Sequence, residues 1–272
     1  MTREVTILGC GSSTGVPRIG GPDGAGDWGA CDPANPKNRR LRCSILVRQK
    51  SAGGVTTVLV DTSPDLRQQM LAARNAKLDA VCITHDHADQ THGFDDLRFI
   101  AYGMHKRIDV YSDKAALDSI RNKFGYAFQG NEKGGYPAIV AAQELTRPFH
   151  EIEVAGEGGA IAVLPFLQGH GSIHSLGFRF GPIAYSSDVN ELDDGAFAAL
   201  EGVECWIVDC LRHALHPSHA NLDTALGWIA RVKPKRAVLT NMHIDLDYEA
   251  LKRALPPGIE PAYDGLTITL DN

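Results

Sequence analysis

Thr84-His85-Asp86-His87-Ala88-Asp89-Gln90-Thr91-His92-Gly93 is the stretch on which the reading of this chain turns. It follows the apolar run Ala80-Val81-Cys82-Ile83, so a buried strand is expected to end in two histidines and a carboxylate. Two imidazoles and a carboxylate at a rigid strand end are ligands that a borderline divalent metal such as zinc prefers.

Three later stretches repeat this layout. Gln168-Gly169-His170-Gly171 follows apolar residues around Leu164, Tyr185-Ser186-Ser187-Asp188 puts a carboxylate after another run, and Leu239-Thr240-Asn241-Met242-His243 ends a third. Taken singly, His170 reads as an ordinary surface histidine and Asp188 as a turn or cap aspartate. Four strand-end sites in this order point instead to one metal centre.

The bulk composition narrows the function classes. The chain has 272 residues, 43% hydrophobic and 22% charged, as for an ordinary globular protein, and a single domain over 1–272 is expected. Its net charge of −6 gives no general basic footprint for a nucleic-acid partner, although a local basic patch stays open. None of the six cysteines forms a C-x-x-C pair, so they read as reduced, mostly buried thiols. Met1-Thr2-Arg3-Glu4 runs into a strand without a signal pattern, and no apolar run has the length of a membrane span. A soluble, cytoplasmic protein is expected, acting on a small substrate, with no membrane partner and with a homodimer allowed.

Along the chain, strand Val5–Leu8 enters a glycine and hydroxyl loop, Gly9 to Pro17, and residues 20–40 read as a long loop. Cys43–Arg48 and Thr57–Val60 read as a hairpin, followed by a helix over Leu66–Ala73 and the strand Asp79–Ile83. A helix near Lys114–Phe124 comes next, then strands Ala160–Pro165, Leu176–Phe180 and Ile183–Tyr185. Helices Ala196–Leu200, Leu222–Val232 and Tyr248–Ala254 alternate with strands Cys205–Val208, Arg236–Leu239 and Leu266–Leu270. Asn221 or Ser218 is expected to cap the second of these helices. Two sheets with helices outside satisfy this order.

Further stretches carry a resemblance: Leu8-Gly9-Cys10-Gly11-Ser12-Ser13-Thr14-Gly15-Val16-Pro17, Pro36 to Ser44, Gly93-Phe94-Asp95-Asp96-Leu97-Arg98, Ser218-His219-Ala220-Asn221 to Leu226, and Leu246-Asp247-Tyr248. With the histidine motif, they make the chain resemble metallo-β-lactamase-fold hydrolases, more narrowly the PhnP-type cyclic phosphodiesterases and, at one remove, the tRNase Z group. The resemblance implies an α/β (α+β) chain in a four-layer αββα sandwich. It implies one metal held by His85, His87 and His170, with Asp188 bridging to a second. The second would take Asp89, the residue after it, Asp188 and a histidine near the C-terminal strand.

This chain departs from that pattern at Gln90 and at Asn241. Amide oxygens are weak ligands for zinc and suit Mn²⁺ or Mg²⁺ better, while His243 or His92 could step in. One divalent ion, Zn or Mn, is therefore expected, beside an altered second position. PhnP-type relatives also carry a C-x-C-x-x-C set, of which only Cys31 is present here, with Gly26 and Trp28 in the other places. One thiol cannot build a tetrahedral site, so no structural zinc is expected. Trp28 reads as packing, and Arg39, Arg40 and Arg42 as members of ion pairs.

The resemblance further implies metal-dependent hydrolysis of a small phosphodiester by metal-bound hydroxide, with a cyclic ribosyl or nucleotide phosphate as the candidate substrate. Asp89 would orient the water, and His219 would contact phosphate and protonate the leaving oxygen, with His216 as the alternative. Ser13 joins His219 as a substrate-binding candidate, and His213 reads as surface. A tRNA 3′-processing endonuclease and a catalytically silent nucleotide-binding protein are the competing readings; β-lactam or thioester hydrolysis is disfavoured by the PhnP-like motifs.

Overall fold

The computed structural model describes residues 2–147 and 149–271. In chain order the strands are β1 (Thr2–Gly9), β2 (Ser44–Ser51), β3 (Gly54–Val60), β4 (Ala80–Cys82), β5 (Ile108–Ser112), β6 (Val140–Glu144), β7 (Ile152–Val154), β8 (Ile161–His170), β9 (Ile173–Phe180), β10 (Ile183–Ser186), β11 (Cys205–Asp209), β12 (Arg236–Thr240), β13 (Ile259–Pro261) and β14 (Thr267–Asp271). The helices are α1 (Leu66–Ala72), α2 (Ala88–Thr91), α3 (Leu97–Met104), α4 (Lys114–Gln129), α5 (Asp194–Ala199), α6 (Leu222–Val232) and α7 (Tyr248–Ala254). Among the described residues, no helix is long and apolar enough to cross a membrane. The chain is mixed α/β with two seven-stranded sheets, the class expected from the alternation of periods.

Two compact units divide the described chain: residues 1–8, 44–162 and 267–272 form the first, and 9–43 with 163–266 the second. The sheet of the first unit has the order β14-β1-β2-β3-β4-β5-β6. β2 and β3 form the expected antiparallel hairpin, from Ile45 opposite Val60 to Ser51 opposite Gly54. From β3 onward the pairs are parallel, because α1, α2–α3 and α4 each carry the chain back across the sheet. Strands covered on both faces read as unbroken apolar runs, which explains Val58 to Val60 and Ala80 to Ile83. The helices bury Leu66, Met70, Leu97, Ala101, Leu117 and Ile120 against Leu46, Leu59, Val81 and Val110.

Several elements here differ from expectation: α2, α3, β5, β6 and β7 had no counterpart in the sequence reading, and α4 is longer than expected. Helix α3 starts at Leu97, at the end of the Gly93–Arg98 motif, with no side-chain cap hydrogen bond to mark it. Helix α4 runs five residues past Phe124, with a non-helical kink at that residue (φ −128°, ψ 37°). Asp113 starts it by accepting from the Ala116 amide at 2.9 Å.

The second sheet has the order β13-β12-β11-β10-β9-β8-β7. Within the second unit, β8, β9 and β10 are joined as hairpins, and Gly171 and Gly181 take left-handed φ values of 65° and 60° at the turns. β10, β11, β12 and β13 then run parallel, linked by α5, α6 and α7. Each of these helices is capped by a side chain: Asp193, Asn221 and Asp247 accept from the amides of Ala196, Thr224 and Ala250. Asn221, rather than Ser218, is thus the cap of α6. The candidate residues His85, Asp188 and Asn241 follow the carboxyl ends of strands with parallel neighbours, the edge at which such sheets present binding groups, whereas His170 ends β8, which is antiparallel to β9.

Candidate metal centre

In the first unit, β4 delivers the histidine motif and β3 delivers its support. Asp61 follows β3 in a left-handed conformation (φ 63°) and is fully buried. Its Oδ1 accepts from the Thr84 amide at 2.8 Å, and its two oxygens accept from the Thr84 hydroxyl at 3.1 and 3.0 Å. With its proton given to Asp61, the Thr84 oxygen accepts from His85 Nδ1 at 3.0 Å. An imidazole that donates through Nδ1 carries its lone pair on Nε2, the tautomer needed for ligating a metal.

The rest of the motif is fixed from α4 and from the turn after it. Ser119 donates to Asp86 Oδ2, and Lys123 donates to the Asp86 carbonyl at 2.6 Å, so the residue between the two histidines is tied on both sides. The rings of His85 and His87 stand edge to face with centroids 4.5 Å apart. His85 and Gln90 are buried, Asp89 is half-buried and His87 is exposed. Gln90 donates to Asp89 Oδ2 at 3.4 Å through its side chain, and its carbonyl accepts from the Thr62 amide at 2.8 Å. His92 turns to α4, its ring 5.9 Å from Phe124. Gly93 is required: a Cβ there would lie 2.0 Å from the Ser63 carbonyl oxygen.

In the second unit, His170 ends β8, Asp188 follows β10, Asp209 ends β11 and Asn241 follows β12. His170 donates through Nδ1 to the Ser218 carbonyl at 2.6 Å, so its lone pair is also on Nε2. His170, Asp188 and His219 bring ligand atoms within 4.8 Å of one another, a grouping able to hold a metal ion. Asp188 and Asn241 both adopt left-handed backbones (φ 53° and 60°), so the chain is bent where the polar side chains leave the strands.

His219 is the most heavily coordinated side chain of this set. Its Nδ1 lies 2.9 Å from Asp209 Oδ2, 3.2 Å from the Asn241 amide nitrogen and 4.0 Å from Asp188 Oδ1. Its ring packs between His170 and His216, at centroid distances of 4.8 and 5.0 Å. Burial pushes the carboxyls of Asp188 and Asp209 above the usual carboxylate range, and the neighbouring His219 pulls both back down. Burial also lowers the pKa of His216, reinforced by His219 beside it.

Asp209 was missed in the sequence. Its signal was there: Cys205-Trp206-Ile207-Val208-Asp209 is an apolar strand ending in a carboxylate, the pattern that marks Asp188. Asp61 is no site candidate by sequence, because nothing in the sequence says that it reaches Thr84, 23 residues away.

The remaining candidates lie as follows. Ser13 is exposed in a turn closed by the Gly15 amide on the Ser12 carbonyl at 2.8 Å. That turn is tied to the end of β12 by Met242 N donating to the Cys10 carbonyl at 2.8 Å. His243 pairs with Asp245 at 3.2 Å, and His213 is exposed. Cys31 is buried with Val16, Ile244 and Trp28 in a small apolar cluster. The expected ion pairs of Arg39 and Arg40 are replaced by other contacts: Arg39 lies 5.0 Å from the Trp28 ring, and buried Arg40 donates to the carbonyls of Leu246 and His243 at 2.6 and 3.2 Å. A long stretch of loop offers carbonyls in plenty, and a guanidinium with five donors is suited to collecting them.

Comparison with known proteins agrees with this layout. Residues 56–244 match the beta-lactamase superfamily domain. The chain is similar to the crystal structure of a diphosphatase from the PhnP family, with 33% identity, a TM-score of 0.86, and 99% of this chain and 98% of that one covered. Human tRNase Z, short form, shares the fold at 18% identity and a TM-score of 0.61, over 97% of this chain and 98% of that one. A curated relative, an octanoyltransferase of Porphyromonas gingivalis, is 32% identical over 97% of this chain. The match takes in 51% of that relative, so the chain spans about half its length. By its motifs, its two sheets and these likenesses, the chain belongs to the beta-lactamase superfamily, in the neighbourhood of the PhnP family.

Proposed function

We propose that the chain is a metal-dependent hydrolase of a small phosphate ester, a phosphodiester or diphosphate of the nucleotide or ribosyl class. The observation that supports it most is the pair of oriented imidazoles: His85 and His170 each donate through Nδ1, to Thr84 Oγ1 and to the Ser218 carbonyl, which reserves Nε2 for ligation. Under this proposal His85, His87, His170 and Asp188 hold one divalent ion, Zn²⁺ or Mn²⁺. Asp89, Gln90 and Asn241 or His243 offer a weaker second position. A metal bound there lowers the pKa of water and neutralises phosphate charge.

The protein's own groups divide the remaining work. Asp89 accepts a proton from the attacking water and orients it. His219, with Nδ1 held by Asp209 at 2.9 Å, presents its other nitrogen to the leaving oxygen and supplies the proton it needs. Ser13 contributes a hydroxyl to the phosphate. The diphosphatase activity named for the 33%-identical relative supports phosphate chemistry. The octanoyl transfer named for the longer relative is not assigned to this chain, which matches only about half of that protein.

The test is a metal-resolved screen. Protein purified without chelator is assayed on bis(p-nitrophenyl) phosphate, 2′,3′-cyclic nucleotides, a dinucleoside diphosphate and pre-tRNA, with Zn²⁺, Mn²⁺ or Mg²⁺ added. Turnover of the small esters that is lost in His85→Ala and Asp188→Ala is the expected result. Turnover of pre-tRNA alone would move the assignment to tRNA processing, and no turnover with any metal would sink the enzyme reading.

A further inference from the structure

A second region of the first unit has the chemistry of a ligand site. Two adjoining hollows, of about 630 and 270 Å³, lie along α3, the end of α4 and the loop before β6. Tyr102, Tyr136 and Pro137 line both. The larger also takes His105, Lys106 and Arg107, and the smaller Arg98, Tyr126 and Asn131. Among the described residues, neither lining contains a carboxylate. In a chain of net charge −6 this is a local reversal of sign.

The charges differ in availability. Arg98 is paired with Asp95, and Tyr126 donates to that same carboxylate at 2.7 Å. Lys106 and Arg107 are exposed, and among the described residues neither takes part in an ion pair. Cations just past the C-terminus of α3 suit its dipole, which accounts for their position. The dipole does not account for the aromatic rings beside them. Tyr136 is 58% and Tyr126 48% exposed, a heavy exposure for rings that gain by burial. Tyr136 is nonetheless held in place, its carbonyl accepting from Asn131 N at 2.6 Å and its amide donating to the Asn131 carbonyl at 3.0 Å. Fixed, exposed aromatic rings next to unpaired cations suit a ligand with one flat aromatic part and one anionic part.

We propose that these hollows form an accessory binding site for a nucleoside phosphate, with the phosphate at Lys106 and Arg107 and the base against Tyr136 and Tyr102. The volumes fall in the range of small-ligand sites. The same chemistry occurs in a free mononucleotide and in one nucleotide of a single strand. The site is separate from the residues assigned to hydrolysis, so it stands whether or not the function proposed above is correct.

Titration calorimetry at low salt tests this with AMP, adenosine, inorganic phosphate and an adenylate tetranucleotide. The wild-type chain, His85→Ala, the double variant Lys106→Ala/Arg107→Ala, and Tyr136→Ala are compared. AMP binding should persist in His85→Ala and weaken by about tenfold or more in the double variant and in Tyr136→Ala. Adenosine and phosphate should each bind more weakly than AMP. Equal affinity for AMP and the tetranucleotide identifies a mononucleotide site, and a tighter tetranucleotide identifies a single strand. AMP binding unchanged in the double variant, or abolished by His85→Ala alone, would overturn the proposal. The side chains of Lys106, Arg107 and Tyr136 are on the surface, that of His85 is buried, and an unchanged melting temperature confirms that each variant is folded.

Discussion

Asp209 and His219 form a hydrogen-bonded pair, carboxylate Oδ2 to ring Nδ1 at 2.9 Å, with the carboxylate fully buried and the imidazole at the surface end. The Val189 amide donates to the same oxygen at 3.0 Å, so the carboxylate is fixed before it fixes the ring. This defines which nitrogen of His219 can face a substrate.

Asp209→Asn removes the acceptor that sets this tautomer. If His219 protonates the leaving oxygen, the variant should lose about 10²-fold in kcat on an alkyl phosphodiester, with little change in KM. The loss should shrink on a p-nitrophenyl ester, whose leaving group needs no proton. Equal losses on both substrates would show that Asp209 has a structural role only.

Thr84→Val deletes the hydroxyl between Asp61 and His85 while keeping the shape. A buried Asp61 then lacks one of its donors, at a cost of about 1–3 kcal/mol in unfolding free energy. His85 loses the group that orients it, and metal affinity should drop by about 10- to 100-fold. Chelator competition and denaturant melts read the two effects separately, and Thr84→Ser should restore most of the affinity.

Gln90 and Asn241 are the two amides proposed above for the second metal position. The purified chain should hold about one tightly bound metal ion, and Gln90→His should raise that number toward two, because an imidazole is the better zinc ligand. Elemental analysis after gel filtration measures this. Two tight zinc ions in the unaltered chain would refute the view that the amides weaken the second position.

Asp264 ties the glycine loop to residue 41. Its oxygens accept from the Cys10 amide at 3.1 Å and the Leu41 amide at 2.7 Å, and burial raises its pKa to about 7. With the folded value raised, the folded chain holds a proton that the unfolded chain has lost. Its stabilising contribution is therefore complete below the unfolded value and declines as pH rises from about 4 through about 7. Asp264→Asn cannot titrate, so the stability difference between wild type and variant should fall by on the order of 1 kcal/mol per pH unit in that window and level off above it. A difference that stays flat from pH 4 to 8 would contradict the raised pKa.

Much of the site was legible because strand ends have a local signature. An apolar run followed by His85, His170 or Asp188 names the residue and its place together, and helices α6 and α7 have the bounds expected from the sequence, Leu222–Val232 and Tyr248–Ala254. What escaped had no local signature. Helix α3 has no side-chain cap hydrogen bond to mark its start, and the burial of its Leu97 and Ala101 is decided by the packing around them.

By itself the sequence determined which residue types stand at the strand ends, Gln90 and Asn241 among them, and the two-sheet α/β class. Only the tertiary structure decided how those residues are held. Thr84 links Asp61 to His85 across 23 positions, the Ser218 carbonyl fixes His170 across 48, and Asp209 turns His219 from ten residues away. Hydrogen-bond partners are set by where parallel strands end beside one another, and that adjacency follows from the crossover helices, not from any spacing within the motifs.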